Sequence, residues 1–252
     1  LNSPNDIEPF PVKSNEWIGT GSGFIVNKGK NIVTNRHVIE GAQRIYVRNG
    51  LGELRQAKIE FISDTDDLAL LSLVNNYDSK YALEIPFNDN LKVGMDSVIM
   101  GYPLSSVIGD SSPSLTEGIV SKSSGLRDNP GTFILTSKLN KGNSGGPIFS
   151  SNGELIGVAV AKLNKTKIFE ENDFIPEDVN IGIKISRVKQ MLSPNNTLQA
   201  NKVKFDLADL YEQKLPSVVM IVAVLPPPDN NNNEDNYELD EAIKDCQSKY
   251  TD

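Results

Sequence analysis

Cysteine and histidine are almost absent from this sequence of 252 residues, since each occurs once, as Cys246 and His37. A single cysteine excludes an internal disulfide framework and a cysteine-rich zinc site. A single histidine restricts any acid–base chemistry that needs an imidazole to one position. Whatever reaction requires such a group must therefore use His37.

Long hydrophobic runs and an excess of positive charge are also missing. No apolar stretch approaches the roughly 20 residues needed to cross a bilayer, so we expect no membrane-spanning segment. The 33 acidic residues outnumber the 25 lysines and arginines, which gives a formal net charge of −8. That balance argues against a nucleic-acid partner held by phosphate contacts. The first ten residues are polar and acidic, and we expect no signal peptide in this chain.

What the sequence does contain, between Ser22 and Ile185, is a succession of short apolar segments separated by turn residues. Glycine, asparagine, aspartate and proline stand in the gaps, as tight turns require. The gaps are too short for the crossover helices of a parallel sheet, so the pattern favours an antiparallel sandwich or barrels. The predicted strands are 23–27, 31–35, 44–48, 54–62, 68–74, 97–101, 114–121, 132–137, 147–149, 154–163 and 179–185.

After the last of these strands the pattern changes. Residues 193–204 are polar and are interpreted as a linker. Apolar residues at helical spacing predict a short amphipathic helix over 205–215. Pro216 ends this helix, and 217–225 is a continuous apolar strand of the kind that is buried on both faces. We expect residues 226–252 to form an acidic, flexible tail.

The segment from Gly142 to Pro147 places small residues around a single serine, Ser144. Such a turn exposes a hydroxyl together with N–H groups that can hold the negative oxygen of a tetrahedral intermediate. Taken alone, the segment is equally well a glycine-rich turn with a surface serine. A serine hydroxyl needs a neighbouring base before it acts as a nucleophile, and His37 is the one imidazole available.

Two further segments offer partners for this serine. His37 follows the end of an apolar strand, where a rigid scaffold can hold a catalytic side chain, although a lone histidine is more often an ordinary surface or core residue. Asp67 stands directly before a strongly apolar strand, so its carboxylate is expected at the edge of a core. A partly buried carboxylate can orient an imidazole and stabilise its cation. Asp64 and Asp66 are rivals for that role, and an ordinary strand-start aspartate is the simpler alternative.

Four motifs stand in this order along the chain: Gly21-Ser22-Gly23-Phe24-Ile25-Val26, Thr34-Asn35-Arg36-His37-Val38, Asp67-Leu68-Ala69-Leu70-Leu71 and Gly142-Asn143-Ser144-Gly145-Gly146-Pro147. They resemble the HtrA/Deg serine proteases, and the resemblance runs in unbroken order over roughly residues 20–192. It implies an all-β fold, a trypsin-like double barrel of two six-stranded antiparallel barrels with short peripheral helices. The active site would lie in the cleft between the barrels.

The resemblance implies a serine endopeptidase that hydrolyses peptide bonds in unfolded or exposed protein segments through an acyl-enzyme. Ser144 would be the nucleophile, His37 the general base and Asp67 its orienting partner. The oxyanion hole would lie at Gly142, Asn143 and Ser144, with the N–H groups of Gly142 and Ser144 as donors. Polypeptides would be the substrates, and no metal or organic cofactor is implied.

Specificity and location follow less directly from the same resemblance. An apolar lining favours a small or medium aliphatic side chain at the cleavage point, whereas Lys138 and Lys162 nearby argue against it. The family usually works in the periplasm, the cell envelope or organelles, so we expect a periplasmic, envelope or secreted protein. Both a monomer and an oligomer are compatible with the sequence. The residues implied to line the substrate are Leu139, Val158, Ala159, Val160 and Ala161.

A catalytically silent HtrA-like protein that binds peptides or acts as a chaperone is the alternative from another functional class. The three triad residues and the glycine of the oxyanion hole are all present in the sequence. Their presence favours the active enzyme over the silent homologue.

The order of the segments departs from the family. Family members open with a short helix and an apolar strand, and nothing before Gly21 fills that place, whereas 205–225 resembles it. A circular permutation is therefore predicted; a truncated second protease repeat, with its strand free or swapped into a neighbour, is the alternative. No segment resembles the PDZ module that family members commonly carry. The predicted division is a first barrel over 12–88 completed by 205–225, a second barrel over 89–192, a linker over 193–204 and a tail over 226–252.

Overall fold

Two closed antiparallel barrels make up the body of the protein. The computed structural model describes residues 7–86, 91–105, 109–161, 179–192, 197–198 and 204–227. Neighbour by neighbour, the first barrel consists of β1 (Trp17–Val26), β14 (Val218–Leu225), β3 (Arg44–Asn49), β4 (Leu54–Ile62), β5 (Ala69–Leu73) and β2 (Asn31–Thr34). The second consists of β10 (Pro147–Phe149), β11 (Leu155–Val160), β12 (Asn180–Lys184), β9 (Thr132–Leu135), β8 (Ser114–Lys122) and β7 (Asp96–Gly101).

Few other elements accompany the barrels. The two short strands β6 (Ile85–Pro86) and β13 (Thr197–Leu198) pair in parallel. The α-helices of the described residues are α1 (Arg36–Ile39), α2 (Ile185–Met191) and α3 (Leu207–Lys214). The predicted all-β fold of two six-stranded antiparallel barrels is confirmed. None of the helices in these ranges has the length and hydropathy that a membrane span requires.

Strand β14 closes the first barrel although it follows the second barrel in the sequence. It lies between β1 and β3 and is antiparallel to both, with Trp17 opposite Leu225 and Phe24 opposite Val218. Seven of its eight residues are buried. A continuous apolar run suits a strand that is covered on both faces.

Helix α3 leads the chain back from the second barrel to the first. It begins at Leu207 because the Asp206 side chain accepts a hydrogen bond from the N–H of Ala208 at 2.9 Å, as an N-cap does. Pro216 lies in the short 3-10 turn that follows the helix and precedes β14. The hydroxyl of Tyr211 donates to the carbonyl of Pro113, just before β8, at 2.8 Å. The helix is thereby held against the second barrel while it delivers β14 to the first.

The apolar core has three parts: one inside each barrel and one that joins side chains of both barrels. Successive side chains of a strand point to opposite faces, and β14 uses both. Val219 and Ile221 belong to the interior of the first barrel. Val218, Met220 and Val222 belong to the shared cluster. The same strand therefore completes one barrel and helps to pack it against the other.

Ending the chain at Lys204 removes α3 and β14, and we expect the remaining protein not to fold. Full burial of a large aliphatic side chain is worth roughly 1.5–3 kcal/mol, so losing β14 removes on the order of 10 kcal/mol. Domains have a net stability of only about 5–15 kcal/mol. Urea unfolding followed by circular dichroism measures the effect.

A chain that ends at Pro227 is the matched control, because it keeps every residue that the structure describes. It should unfold cooperatively. A cooperative transition of the chain that ends at Lys204 would contradict the role given to β14.

Candidate active site

His37 and Asp67 form a close pair on the first barrel. His37 lies in α1, directly after β2, and Asp67 lies just before β5. Imidazole Nδ1 is 2.5 Å from Oδ2 of Asp67, and the backbone N–H of His37 donates to Oδ1 at 2.9 Å. Both carboxylate oxygens are thus engaged by one residue, which fixes the orientation of the ring. Of the three candidate aspartates, Asp67 makes this contact, while Asp66 approaches Arg187 of α2 at 3.8 Å.

The Asp67 carboxyl is held in its ionised form. Burial acts to raise its pKa, but the hydrogen bonds from the ring and the backbone N–H of His37 outweigh burial, and the pKa lies below its ordinary value. The side-chain amide of the buried Asn35 donates to the backbone carbonyl of Asp67 at 2.8 Å and so fixes the loop. An ionised carboxylate in this place can stabilise an imidazolium.

Ser144 lies in the second barrel just before β10, and its backbone is joined to the first barrel. Its carbonyl accepts a hydrogen bond from the N–H of Ser22 on β1 at 2.8 Å. Gly145 has a φ of +86°, and a Cβ at this position would stand 2.2 Å from the carbonyl oxygen of Ser22 and 3.0 Å from the nitrogen of Asn35. Glycine alone permits this approach. The turn is therefore pressed against the segment that leads into His37.

The hydroxyl oxygen of Ser144 accepts a hydrogen bond from the N–H of Ala161 at 3.2 Å. No hydrogen bond joins this hydroxyl to the His37 ring in the described part of the chain. Ser144 is only 5% exposed. This bond occupies a lone pair of the oxygen, so the hydroxyl can still donate its proton to a base.

The residues before Ser144 form a tight turn with a fixed backbone. The carbonyl of Asn140 accepts from the N–H of Asn143 at 3.0 Å, and Gly142 has a φ of +102°, which is the pattern of a type II turn. The carbonyl of Lys141 accepts from the N–H of Leu104 at 2.9 Å. Because the N–H and C=O of a trans peptide point in opposite directions, this bond directs the Gly142 N–H away from Leu104.

The Ser144 N–H is oriented in the same way. The carbonyl of Asn143, in the same peptide unit, accepts from the N–H of Gly146 at 2.9 Å. Within the described ranges, neither Gly142 nor Ser144 donates its own N–H to any acceptor. Unpaired donors in a buried turn are costly. Two such donors beside a serine hydroxyl can receive a developing negative charge.

The residues expected to line the substrate lie around this turn. On β11, Val158 and Ala159 have fully buried side chains and Val160 is half-buried. Ala161, which follows the strand, is also half-buried. The carbonyl of Ala159 accepts from the N–H of Gly145 at 2.9 Å, so this strand is fixed directly beside Ser144. A peptide substrate can therefore contact β11 mainly through the backbone of that strand.

The structure describes only some of the residues that were predicted to determine specificity. Leu139 is half-buried and packs against the core of the second barrel, and Lys138 is exposed. Lys162 lies outside the described residues. The lining of the primary pocket stays a prediction.

Two parts of the site were missed by sequence reasoning. The Leu104 N–H contributes through the backbone, and its φ of +46° has no signature in the sequence. In the sequence, Ser22 is only one residue of a family motif. In the structure, it donates hydrogen bonds to the carbonyls of both Gly142 and Ser144. A serine between two glycines in an apolar strand is the signal that would have drawn attention to it.

Comparison with known proteins supports the same assignment of these residues to a peptidase fold. The family described as Trypsin-like peptidase domain matches residues 21–158. The chain belongs to this family. Relatives named as serine endoproteases DegQ and DegP confirm the HtrA/Deg resemblance of the motifs.

Named relatives support the HtrA/Deg type of this trypsin-like peptidase. The periplasmic pH-dependent serine endoprotease DegQ of Escherichia coli K12 is 39% identical over 164 residues, which are 63% of this chain and 34% of that protein. A probable serine protease do-like of Buchnera aphidicola is 35% identical over 194 residues, 72% of this chain and 37% of that protein. The chain thus spans about a third of the length of these relatives.

A solved structure extends the similarity to three dimensions. The crystal structure of the serine endoprotease from Yersinia pestis matches with a TM-score of 0.53 and 26% identity. The match covers 73% of this chain and 58% of that one.

Replacing Asp67 by asparagine should remove stability in a pH-dependent manner. Because folding lowers the pKa of this carboxyl, its contribution is fully present above the ordinary aspartate pKa of about 3.9 and is lost as the pH falls through the folded-state value. We expect wild type to exceed Asp67→Asn in unfolding free energy at pH 7, and the difference to shrink at pH 3. Urea unfolding at the two pH values measures it.

Asp64→Asn is the matched control, since this neighbour is exposed and, among the described residues, it is Asp67 and not Asp64 that is bonded to His37. Its effect should stay within about 0.5 kcal/mol at both pH values. A difference between wild type and Asp67→Asn that is the same at pH 3 and pH 7 would count against the stabilising contact.

Proposed function

We propose that the protein is a serine endopeptidase that cleaves peptide bonds through an acyl-enzyme on Ser144. One observation carries the proposal: the turn around Ser144 holds two N–H groups that have no acceptor among the described residues, and it is pressed against the segment that leads into His37. A nucleophile, a base with an orienting carboxylate, and an oxyanion site are the parts that acyl transfer needs. Membership of the trypsin-like peptidase family supports the same activity.

The proposed mechanism assigns each group one task. Ser144 Oγ attacks the carbonyl carbon of the scissile bond while Nε2 of His37 takes its proton, and the Asp67 carboxylate stabilises the resulting imidazolium. The N–H groups of Gly142 and Ser144 hold the oxyanion. His37 then protonates the leaving amine, and water releases the acyl group by the same steps in reverse order.

For substrates, we propose unfolded or exposed segments of polypeptides. The backbone beside Val160 and Ala161 supports pairing with an extended peptide, which is a common mode of peptide recognition. The half-buried Leu139 supports a small or medium aliphatic side chain at the cleavage point. Because the DegQ and DegP relatives are described as periplasmic, we propose that this protein works in the periplasm, in the cell envelope or outside the cell.

Replacing Ser144 by alanine should abolish both cleavage of casein and labelling by a fluorophosphonate probe. The loss of the nucleophile lowers kcat on the order of 10⁴-fold or more. Ser123→Ala, which removes an exposed hydroxyl outside the four motifs, should behave as wild type. Wild-type protein that binds casein but neither cleaves it nor reacts with the probe would refute the proposal in favour of the silent peptide-binding homologue.

We further propose that the chain is a circularly permuted member of its family. Residues 205–225 supply a helix and then the strand between β1 and β3, and the start of β1 is paired with the end of β14. In an unpermuted chain, that strand would precede β1 through a hairpin at Leu225 and Trp17. The first barrel would then be 12–88 completed by 205–225, and the second 89–192.

Undoing the permutation tests this division. A chain in which residues 204–227 precede residues 7–203, joined by a flexible linker of about ten glycine and serine residues, should fold to the same barrels. Its thermal unfolding and its casein cleavage should match those of wild type. An insoluble or non-cooperative product, obtained beside a folded wild type, would contradict the permutation and favour the truncated repeat.

A further inference from the structure

Ser22 is a fully buried residue of β1 whose side chain contacts the turn before Ser144. Its hydroxyl donates to the carbonyl of Gly142 at 2.6 Å and accepts from the N–H of Tyr102 at 2.8 Å. Its backbone N–H donates to the carbonyl of Ser144 at 2.8 Å. A single residue of the first barrel is thus bonded to both residues whose N–H groups face the proposed oxyanion.

The Gly142 carbonyl matters because glycine does not hold its own conformation. Glycine populates positive and negative φ about equally, so the φ of +102° at Gly142 depends on what its neighbouring peptide units are bonded to. The unit before Gly142 is fixed by the Leu104 N–H. The unit after it is held at its N–H by the Asn140 carbonyl and at its carbonyl by the Ser22 hydroxyl. Among the described residues, Ser22 supplies the one side chain bonded to that second carbonyl.

The surroundings of the Ser22 hydroxyl are packed tightly. A Cβ placed on Gly101 would stand 2.8 Å from the Ser22 hydroxyl oxygen, and one placed on Gly142 would stand 2.3 Å from the carbonyl oxygen of Tyr102. The hydroxyl therefore lies at the point where β1, the end of β7 and the turn of residues 140–143, here called the oxyanion turn, meet. Its removal would leave the Gly142 carbonyl and the Tyr102 N–H without this partner.

We infer that Ser22 is a positioning residue for the oxyanion hole. Its hydroxyl holds the carbonyl of Gly142 and so helps to keep Gly142 at its positive φ, the conformation in which the Leu104 bond directs the Gly142 N–H towards the oxyanion before a substrate binds. The catalytic consequence rests on the proposed peptidase function. Ser22 does not touch the reacting atoms, so its loss weakens binding of the transition state and spares binding of the ground state.

Steady-state kinetics of Ser22→Ala test this role. We expect kcat to fall about 10- to 100-fold with KM nearly unchanged, as a small misplacement of a catalytic donor does. Affinity for a peptide boronate, which forms a tetrahedral adduct, should fall by a similar factor, whereas affinity for the product peptide should not change.

The matched control is Ser97→Ala. Ser97 is also fully buried, and its hydroxyl is bonded to that of Ser137 at 2.6 Å inside the second barrel. This variant loses a buried hydroxyl without touching the oxyanion turn, so kcat and boronate affinity should stay within about twofold of wild type. Ser22→Ala and Ser97→Ala with the same kcat and the same boronate affinity would overturn the inference.

Two further measurements keep the inference separate from folding and from the proposed function. If Ser22→Ala does not fold, Ser22→Cys replaces it, because a thiol is a much weaker donor than a hydroxyl, and an undiminished kcat would again overturn the role. If wild type neither cleaves peptides nor binds the boronate, the proposed function fails. A crystal structure of the variant then decides the positioning role: Gly142 should leave its φ near +102°, and an unchanged turn would refute it.

Discussion

The hydrogen bond from the Ser22 N–H to the Ser144 carbonyl is the contact on which the rest of the site depends. His37 and Asp67 belong to the first barrel and Ser144 to the second. These three side chains can therefore act together only if the two barrels pack in one fixed relative position. The shared apolar cluster supplies most of the free energy that holds the barrels together. The directional bond, with the close approach of Gly145, determines how they are aligned.

The first barrel can meet this constraint because of a strand from the other end of the chain. β1 carries Ser22, and its longest pairing is with β14. By alternating its side chains, β14 fills the first barrel and contributes to the shared cluster. The geometry around Ser144 therefore depends on a strand that follows the second barrel in the sequence and lies in the first barrel in space.

Much of this fold and site can be predicted from local sequence. The features that cannot be predicted depend on partners that are distant in the sequence. Short apolar segments between turn residues predict the barrels, and the motifs single out His37, Asp67 and Ser144. β1 begins at Trp17 rather than at Gly23, because β14, its partner, lies about 200 residues away. The two-residue strands β6 and β13 are too short to have a periodicity. The bonds of the Ser22 hydroxyl and the Leu104 N–H exist only once both barrels have formed.

The most direct test of the account is a crystal structure of the protein with a peptide boronate. We expect boron bonded to Ser144 Oγ and one boronate oxygen about 2.7–3.1 Å from the nitrogens of both Gly142 and Ser144, as in an oxyanion hole. The His37 Nε2 should lie within hydrogen-bond reach of the adduct. An adduct whose oxygens turn away from both N–H groups, or a boronate bound away from Ser144, would contradict the account.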